Sequence, residues 1–313
     1  MVSLCIAWAL VARIVPSPLA VPNERSLHRQ PVPRIGGIAI LGGWMSAWPL
    51  APFSWRWAAP FALVALISLL DDWRNVPAAF RLAVHGACAV AAAIFLLSPY
   101  NLLLLLVDAM IIAWMANLYN FMDGADGLAA AMGIAGFAAF ALCALLFQRA
   151  DSAVLYGALA IACAGFLAFN LPPARLFMGD VGAVSLGFLA AVFGLDGIAE
   201  GVWRWWFPPL VFLPFILDAT LTLVRRGTRG ANVARAHREH YYQRAILIDG
   251  GHRPTLLVYA AWMVACAGLA LGAMSWAPET GPVLLIGAAG AFGLYCRAID
   301  RRWAGRTDLH HAG

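Results

Sequence analysis

Eleven apolar runs of roughly 15 to 22 residues follow one another along this chain, each about the length that carries a helix through 30 Å of hydrocarbon. They lie near 2–20, 35–53, 57–70, 79–98, 101–119, 127–148, 152–170, 181–199, 204–224, 254–276 and 281–297. Lipid offers no partner for a backbone amide, so such runs must close their hydrogen bonds inside helices. The fold class expected is all-α, a polytopic integral membrane protein with about 11 transmembrane helices. Composition agrees, with 63% of the 313 residues hydrophobic and 12% charged, where a soluble domain carries about 25% charged residues. No internal repeat and no low-complexity linker divides the chain, so residues 1–313 read as one integral membrane domain. Trp55 and Trp57 read as interfacial anchors of the third run. The first run, with no basic stretch ahead of it, reads as a first transmembrane helix and not as a signal peptide.

Charge orients the runs. All 21 basic residues are arginines, and the net charge is +5. Seventeen of them, including Arg34, Arg74, Arg81, Arg175, Arg225, Arg226 and Arg244, fall on the odd-numbered links and the C-terminal tail, against Arg56, Arg149 and Arg204 on the opposite face. That bias puts the odd links in the cytoplasm and the N-terminus outside. The basic charge is thus accounted for by the lipid bilayer, and no nucleic acid is implied. Cys5, Cys88, Cys143, Cys163, Cys266 and Cys296 show no CxxC or metal spacing and read as small buried side chains.

The polar chemistry gathers on the odd links. The third opens LLDDWRNVPAAFR, with Asp71 and Asp72 directly after an apolar run, where an unpaired carboxylate is costly and the helix dipole opposes it. Their side chains diverge by about 100° if the helix continues through them, which implies different partners. The fifth reads NLYNFMDGADGLAA: Asn117 and Asn120 share a helix face, and glycines accompany Asp123 and Asp126. Such oxygen donors suit Mg²⁺, which keeps waters and binds together with substrate phosphates. In the seventh, RLFMGDVGAVSLGF, Asp180 opens the next run and Phe177 precedes it by three residues.

The ninth link, about 225 to 253, is long enough for a small cytoplasmic element and places His237 and His240 on one face if helical. The first link sets His28, Arg29 and Arg34 before Gly36 and Gly37, whose amides could hold an anion. Asp218 lies about two turns inside its run, on the same side. Asp108 lies deeper, about 13 Å of helix before Asn117, where an acid is functional by default.

In this order the segments Asp71-Asp72, NLYNFMDGADGLA (117–129), FMGDVGAVSLG (177–187), Asp218 and HREHYYQR (237–244) resemble the polyprenyl-phosphate N-acetylhexosamine-1-phosphate transferase family, of glycosyltransferase family 4 type. Within it the chain looks most like the initiating transferases of O-antigen and other surface polysaccharides, because the three consecutive histidines of the pentapeptide transferase are absent. Where relatives commonly carry Gln, four positions after Arg81, this chain has His85.

The resemblance implies a Mg²⁺-dependent enzyme, with Mn²⁺ as a substitute, in the bacterial inner membrane and with its site facing the cytoplasm. Its partners would be a UDP-N-acetylhexosamine and undecaprenyl phosphate, and a homodimer is compatible with it. Asp180 would bind the metal, with Asp71 and Asp72 as further candidate ligands that also bind or activate the lipid phosphate. Asn120 and Asp123 would position substrate, Asp126 would contact uracil, Phe177 would stack on it, and His237 and His240 would hold phosphate. Asn117, Arg34, Arg81 and Arg244 complete the substrate-binding set. A lipid phosphate is mostly dianionic at pH 7 and needs little base assistance, which favours direct attack over an aspartyl-phosphate. A transporter with an intramembrane carboxylate site and a CDP-alcohol phosphotransferase are the competing readings. The second lacks support because Asp126-Gly127 is followed by LAAAMG and not by the DGxxAR pattern.

Overall fold

The computed structural model describes residues 1–20, 31–51, 55–96, 101–232 and 237–311. Each apolar run carries a helix, but not all of them span. Among the described residues seven helices are long and apolar enough to cross a membrane: Ala78–Phe95, Leu102–Met122, Leu128–Leu146, Ala150–Asn170, Gly179–Ala199, His252–Trp276 and Pro278–Gly305. The protein is an all-α, multi-pass membrane protein, and the expected count of eleven is not reached.

Four of the runs make the difference, and of these the third gives a helix of 20 residues, Trp55–Arg74, that is long enough but carries Arg56, Asp71, Asp72 and Arg74 near its ends. The first two give only α1 (Val2–Val11) and α2 (Gly37–Met45), each about 15 Å long and so half a bilayer deep. Pro16 and Pro18 lie just beyond α1, where a continuing helix would lose amides. The ninth run breaks at Phe212 into α9 (Phe207–Val211) and α10 (Leu213–Thr228), because Pro208, Pro209 and Pro214 favour new helix starts over an unbroken helix. The remaining helices are α3 (Trp55–Arg74), α4 (Ala78–Leu96), α5 (Leu102–Met122), α6 (Leu128–Leu146), α7 (Ala150–Asn170), α8 (Gly179–Ala199), α11 (Tyr241–Asp249), α12 (His252–Trp276) and α13 (Gly281–His311). A two-residue antiparallel ladder, β1 (Leu19–Ala20) with β2 (Val32–Pro33), is the one strand pairing among the described residues.

The most enclosed helix is α8, which packs against α2, α3, α4, α5 and α6. Its neighbours approach closely because the contacts are made by small residues, the device that substitutes for hydrophobic driving force inside lipid. At the crossing with α2, a side-chain carbon on Gly37 would fall on the backbone of Gly182, and one on Gly182 would fall on Gly37. The half of the bundle away from the acids is filled by aromatics. Trp44 stacks on Trp57 at 5.8 Å, Trp57 meets Phe193 edge-on at 5.3 Å, and Trp44 donates its indole N–H to the Leu155 carbonyl at 3.0 Å. Trp57 is therefore a core residue, 4% exposed, and not an interfacial anchor. The side chain of Trp55 lies outside the described residues. Five of the six cysteines are buried as expected, whereas Cys5 is exposed on α1.

The glycine crossing yields a direct test. Gly37→Leu should lower the melting midpoint in detergent by the equivalent of about 1–3 kcal/mol of overpacking, while Gly268→Ala, at a position on α12 with open space around it, should leave it unchanged or slightly raised. Equal melting of the two variants would show that the α2–α8 contact is not tight.

Candidate active site

The links that bear Asp71, Asp72, Asp123, Asp126 and Asp180 lie together at one end of the bundle. Asp71 and Asp72 close α3, Arg81 lies in the first turn of α4, Asp123 and Asp126 occupy the turn between α5 and α6, and Asp180 opens α8. The carboxylate of Asp72, 4% exposed, accepts the N–H groups of Asp180 at 3.1 Å and Val181 at 3.0 Å and meets Arg34 at 3.3 Å. It thereby sits where the unpaired amides and the positive end of the α8 dipole converge. Gly179, just before, has φ +73°, and a side chain there would strike the Arg34 carbonyl and the Asp72 carboxylate. Only glycine lets α8 begin against that acid. Asp71 points elsewhere, accepting the Val76 N–H at 2.6 Å and pairing with Arg81, whose guanidinium also reaches Asp180 at 2.5 Å. The two adjacent acids do take different partners, namely the α8 amides with Arg34 in one case and Val76 with Arg81 in the other.

The first link is fastened to the seventh by its backbone. Phe177 donates to the Pro33 carbonyl at 2.8 Å, Gly36 to the Phe177 carbonyl at 2.8 Å, and Gly37 to the Met178 carbonyl at 2.7 Å. This overturns the expectation that the Gly36 and Gly37 amides hold an anion, because both already have carbonyl acceptors. The pairing fixes Phe177 and Arg34 at the rim of the site. His28 and Arg29 lie outside the described residues.

A cavity of about 320 Å³ opens here, walled by Arg34, Asp72, Asp123, Asp126, Phe177 and Asp180, and also by Asn170, Gln243 and His252. Asp123 is partly buried, and among the described residues no hydrogen bond or ion pair reaches its carboxyl group. Loss of hydration, then the charges of Asp180, Asp72 and Asp126, hold it well above the usual carboxylate range. An unpartnered acid beside Asp180 is a place where a divalent cation would relieve the field. No trio of His, Cys, Asp and Glu among the described residues forms a protein-only cage. The donor set is that of an ion held by one or two carboxylates plus waters and substrate oxygens, which Mg²⁺ fits.

The opposite wall is built from Asp126 and its neighbours. Asp126 accepts the Ala174 N–H at 3.0 Å, and its own N–H donates to Nδ1 of His252 at 3.0 Å. Buried Asn170 accepts the Gly127 N–H at 2.9 Å and donates to the Leu176 carbonyl at 2.8 Å, tying the α5–α6 turn to the segment that carries Phe177. Asn117 bonds back to the Ala113 carbonyl at 2.7 Å, and neither it nor Asn120 lines the cavity.

The ninth link departs from the helical expectation. His237 and His240 precede α11 in irregular backbone, yet their rings stack at 4.9 Å. Loss of hydration, then His240 and Arg226 nearby, push His237 down to about 4, so its imidazole is neutral at pH 7. Asp218, fully buried, accepts the N–H groups of Tyr241 and Tyr242, both at 2.9 Å, and the Tyr259 hydroxyl at 2.5 Å. Its job is to anchor the N-terminus of α11. Arg244 pairs with Asp300 at 2.8 Å and lies over the Trp303 ring, outside the cavity wall. Asp108 is equally remote. It lines a separate apolar cavity of about 470 Å³ between α5, α8 and α9.

With this geometry in place, comparison with known proteins points to a family. A model of glycosyl transferase family 4 matches residues 54–198, the stretch from α3 through α8. The decaprenyl-phosphate N-acetylglucosaminephosphotransferase of Mycolicibacterium smegmatis is 28% identical over 82% of this chain and 75% of its own length. Its counterpart in Mycobacterium tuberculosis is 28% identical over 86% and 79%. The phospho-N-acetylmuramoyl-pentapeptide-transferase of Chloroflexus aggregans is 26% identical over 62% of each. The family model and these relatives support the polyprenyl-phosphate N-acetylhexosamine-1-phosphate transferase family for this chain. They lend nothing to the transporter and CDP-alcohol phosphotransferase readings.

Three wall residues were not singled out from sequence: Asn170, Gln243 and His252. Only His252 gave a signal, as a histidine opening a helix on the polar ninth link. Asp123 supplies a test of the field. Its fold-raised proton affinity means that stability is fully present below the unfolded carboxyl pKa of about 4 and is lost as pH rises through the folded value. Without divalent cation, Asp123→Asn should therefore melt a few degrees above the parent near pH 8, the gap closing toward pH 4. A variant that melts lower at pH 8 would show Asp123 to be well paired.

Proposed function

We propose that the chain transfers N-acetylhexosamine 1-phosphate from a UDP-N-acetylhexosamine to undecaprenyl phosphate, releasing UMP and beginning O-antigen or related surface-glycan synthesis. An oxygen of the lipid phosphate attacks the sugar-linked phosphorus, and the bond from that phosphorus to the bridging oxygen breaks as UMP leaves. The observation that carries this reading is the cavity itself, in which unpartnered Asp123 and Arg81-paired Asp180 lie with Arg34 and Phe177 at the ends of membrane helices. A water-borne nucleotide and a bilayer-borne phosphate can meet at that level. The arginine bias supports a cytoplasmic orientation in the bacterial inner membrane. The mycobacterial relatives, named for N-acetylglucosamine, favour that sugar.

Phosphoryl transfer depends mainly on positioning and charge neutralisation. Arg34 and Arg81 supply fixed positive charge at two sides of the carboxylates. Mg²⁺, held by Asp180 and Asp123, would neutralise the donor diphosphate; Mn²⁺ would substitute. Both oxygens of Asp72 are engaged by α8 amides, and those of Asp71 by Val76 and Arg81. Neither acid offers a free nucleophilic oxygen, which supports direct attack over an aspartyl-phosphate. Neutral His237 would serve as a hydrogen-bonding group and not as a cation, with the His240 ring stacked on it.

The test is a UMP-release assay with undecaprenyl phosphate across a panel of UDP-N-acetylhexosamines, with Mg²⁺ and with EDTA. Release should need both lipid and cation. Asp180→Asn should lose about a hundred- to thousand-fold in turnover while keeping the parental melting midpoint. Near-normal turnover by that variant would remove Asp180 from the machinery, and lipid-independent release would sink the reaction as written.

A further inference from the structure

The C-terminal helix α13 runs for 31 residues, about 46 Å, which is more than hydrocarbon requires. Its last turns meet α10 and α11. There Asp300 collects three donors from the two ends of the ninth link. Arg225, near the end of α10, pairs with Oδ1 of Asp300, and Arg244, on α11, reaches the same oxygen at 2.8 Å. The Tyr241 hydroxyl donates to Oδ2 at 3.2 Å. Rings reinforce the clasp: the Arg225 guanidinium lies 5.0 Å from the centre of the Tyr241 ring, and that of Arg244 lies 5.5 Å from the centre of Trp303, also on α13. At the far end of α11, Arg302 meets Asp249 at 2.5 Å. Thus α13 grips α11 at both ends and ties the exit of the chain from α10 to its entry into α11.

Between those two ends stand His237 and His240, in irregular backbone. His240 is the cap residue of α11, and its amide donates to the Gln243 side chain at 3.3 Å. Its ring stacks on His237 at 4.9 Å and on Phe121, two residues before Asp123, at 6.1 Å. Where α11 stands therefore decides where both imidazoles stand. Asp218 holds only the first amides of α11, whereas Asp300 holds side chains on both flanks of the link. It also answers an electrostatic demand, since Arg225 and Arg244 converge on one oxygen and would repel each other without it. Glu239 is the weaker neighbour, 3.8 Å from Arg244 and already paired with Arg226. We infer that Asp300 is a positioning residue, which acts on the reaction through the His237–His240 pair by locking together the two ends of the link that bears it. The inference rests on the proposed part of that pair in the transfer, and it extends the working parts to a helix from which no described residue lines the cavity.

The experiment uses the purified full chain in detergent, as the parent, Asp300→Ala, Asp300→Glu, His237→Ala and the double variant Asp300→Ala with His237→Ala. Limited trypsinolysis, with products located by mass spectrometry, reads opening of the link at Arg229 and Arg238. UMP release gives kcat and the donor KM, and melting reads the whole fold. Asp300→Ala should be cut in the link about tenfold faster, because local opening is then favoured. It should lose about ten- to a hundred-fold in kcat, the cost of a displaced working group, with the donor KM held within about threefold. Its melting midpoint should fall by no more than about 2–4 °C, as for a partly exposed ion pair. Asp300→Glu should recover most of both losses. On the His237→Ala background, Asp300→Ala should cost at most about twofold more in kcat, as expected when one residue works through the other. Full additivity of the two losses overturns the inference, as does cleavage of the link at the parental rate. A parent that releases no UMP overturns the proposed reaction and with it the part given to Asp300. That result is distinct from an active parent whose Asp300→Ala variant turns over normally, which overturns this inference alone.

Discussion

An anion at the start of a helix organises this protein. Asp72 would be intolerable as a bare carboxylate at the end of an apolar helix, and the first amides of α8 would be equally costly without acceptors. Each cancels the other's deficit. Because α8 is the most enclosed helix, fixing its first turn fixes the positions of Asp180 and of the Phe177 segment relative to α3. Arg34 is drawn to the same carboxylate, and Arg81 then bridges Asp71 to Asp180. One contact between two helices thus sets out most of the charged wall of the cavity.

The same device recurs on the other side. Asp218 receives the first amides of α11 as Asp72 receives those of α8, with the Tyr259 hydroxyl as a further donor. In both cases a buried acid accepts the first amides of a helix. Among the described acids that line the cavity Asp123 is the exception, and its lack of partners is the mark of a group whose counter-charge comes from outside the protein. Destabilising charge kept at a functional position is a common feature of working sites.

Much of this was legible in the chain. The apolar runs and the grouping of Asp71, Asp72, Asp123, Asp126 and Asp180 at one end follow from run length and link alternation, and the ordered motifs of the family resemblance pointed to Arg34, Asp72, Asp123, Asp126, Phe177 and Asp180, which one cavity brings together. The misreadings have physical causes. Hydropathy cannot tell a half-length helix such as α1 from a full crossing, since proline and packing set its end. Trp57 looked interfacial by its place in the run, but the aromatic cluster of Trp44 and Phe193 draws it inward. Gly36 and Gly37 looked like an anion nest until a segment 140 residues away supplied their acceptors. His252 and Asn170 belong to the wall only through tertiary contacts, which no local spacing encodes.

The hydroxyl of Tyr242, on the second residue of α11, donates to the Phe121 carbonyl at 3.0 Å, at the very end of α5. Asp218, on α10, grips the amide of that same tyrosine. The turn bearing Asp123 is thereby joined through one side chain to an anchor inside the bundle. It works as a lever with its fulcrum in the apolar interior and its tip at the floor of the cavity. Neither α10 nor the end of α5 can shift away from Tyr242 without breaking one of these two bonds, so the turn that carries Asp123 is braced from inside the bundle and not by its own short backbone alone.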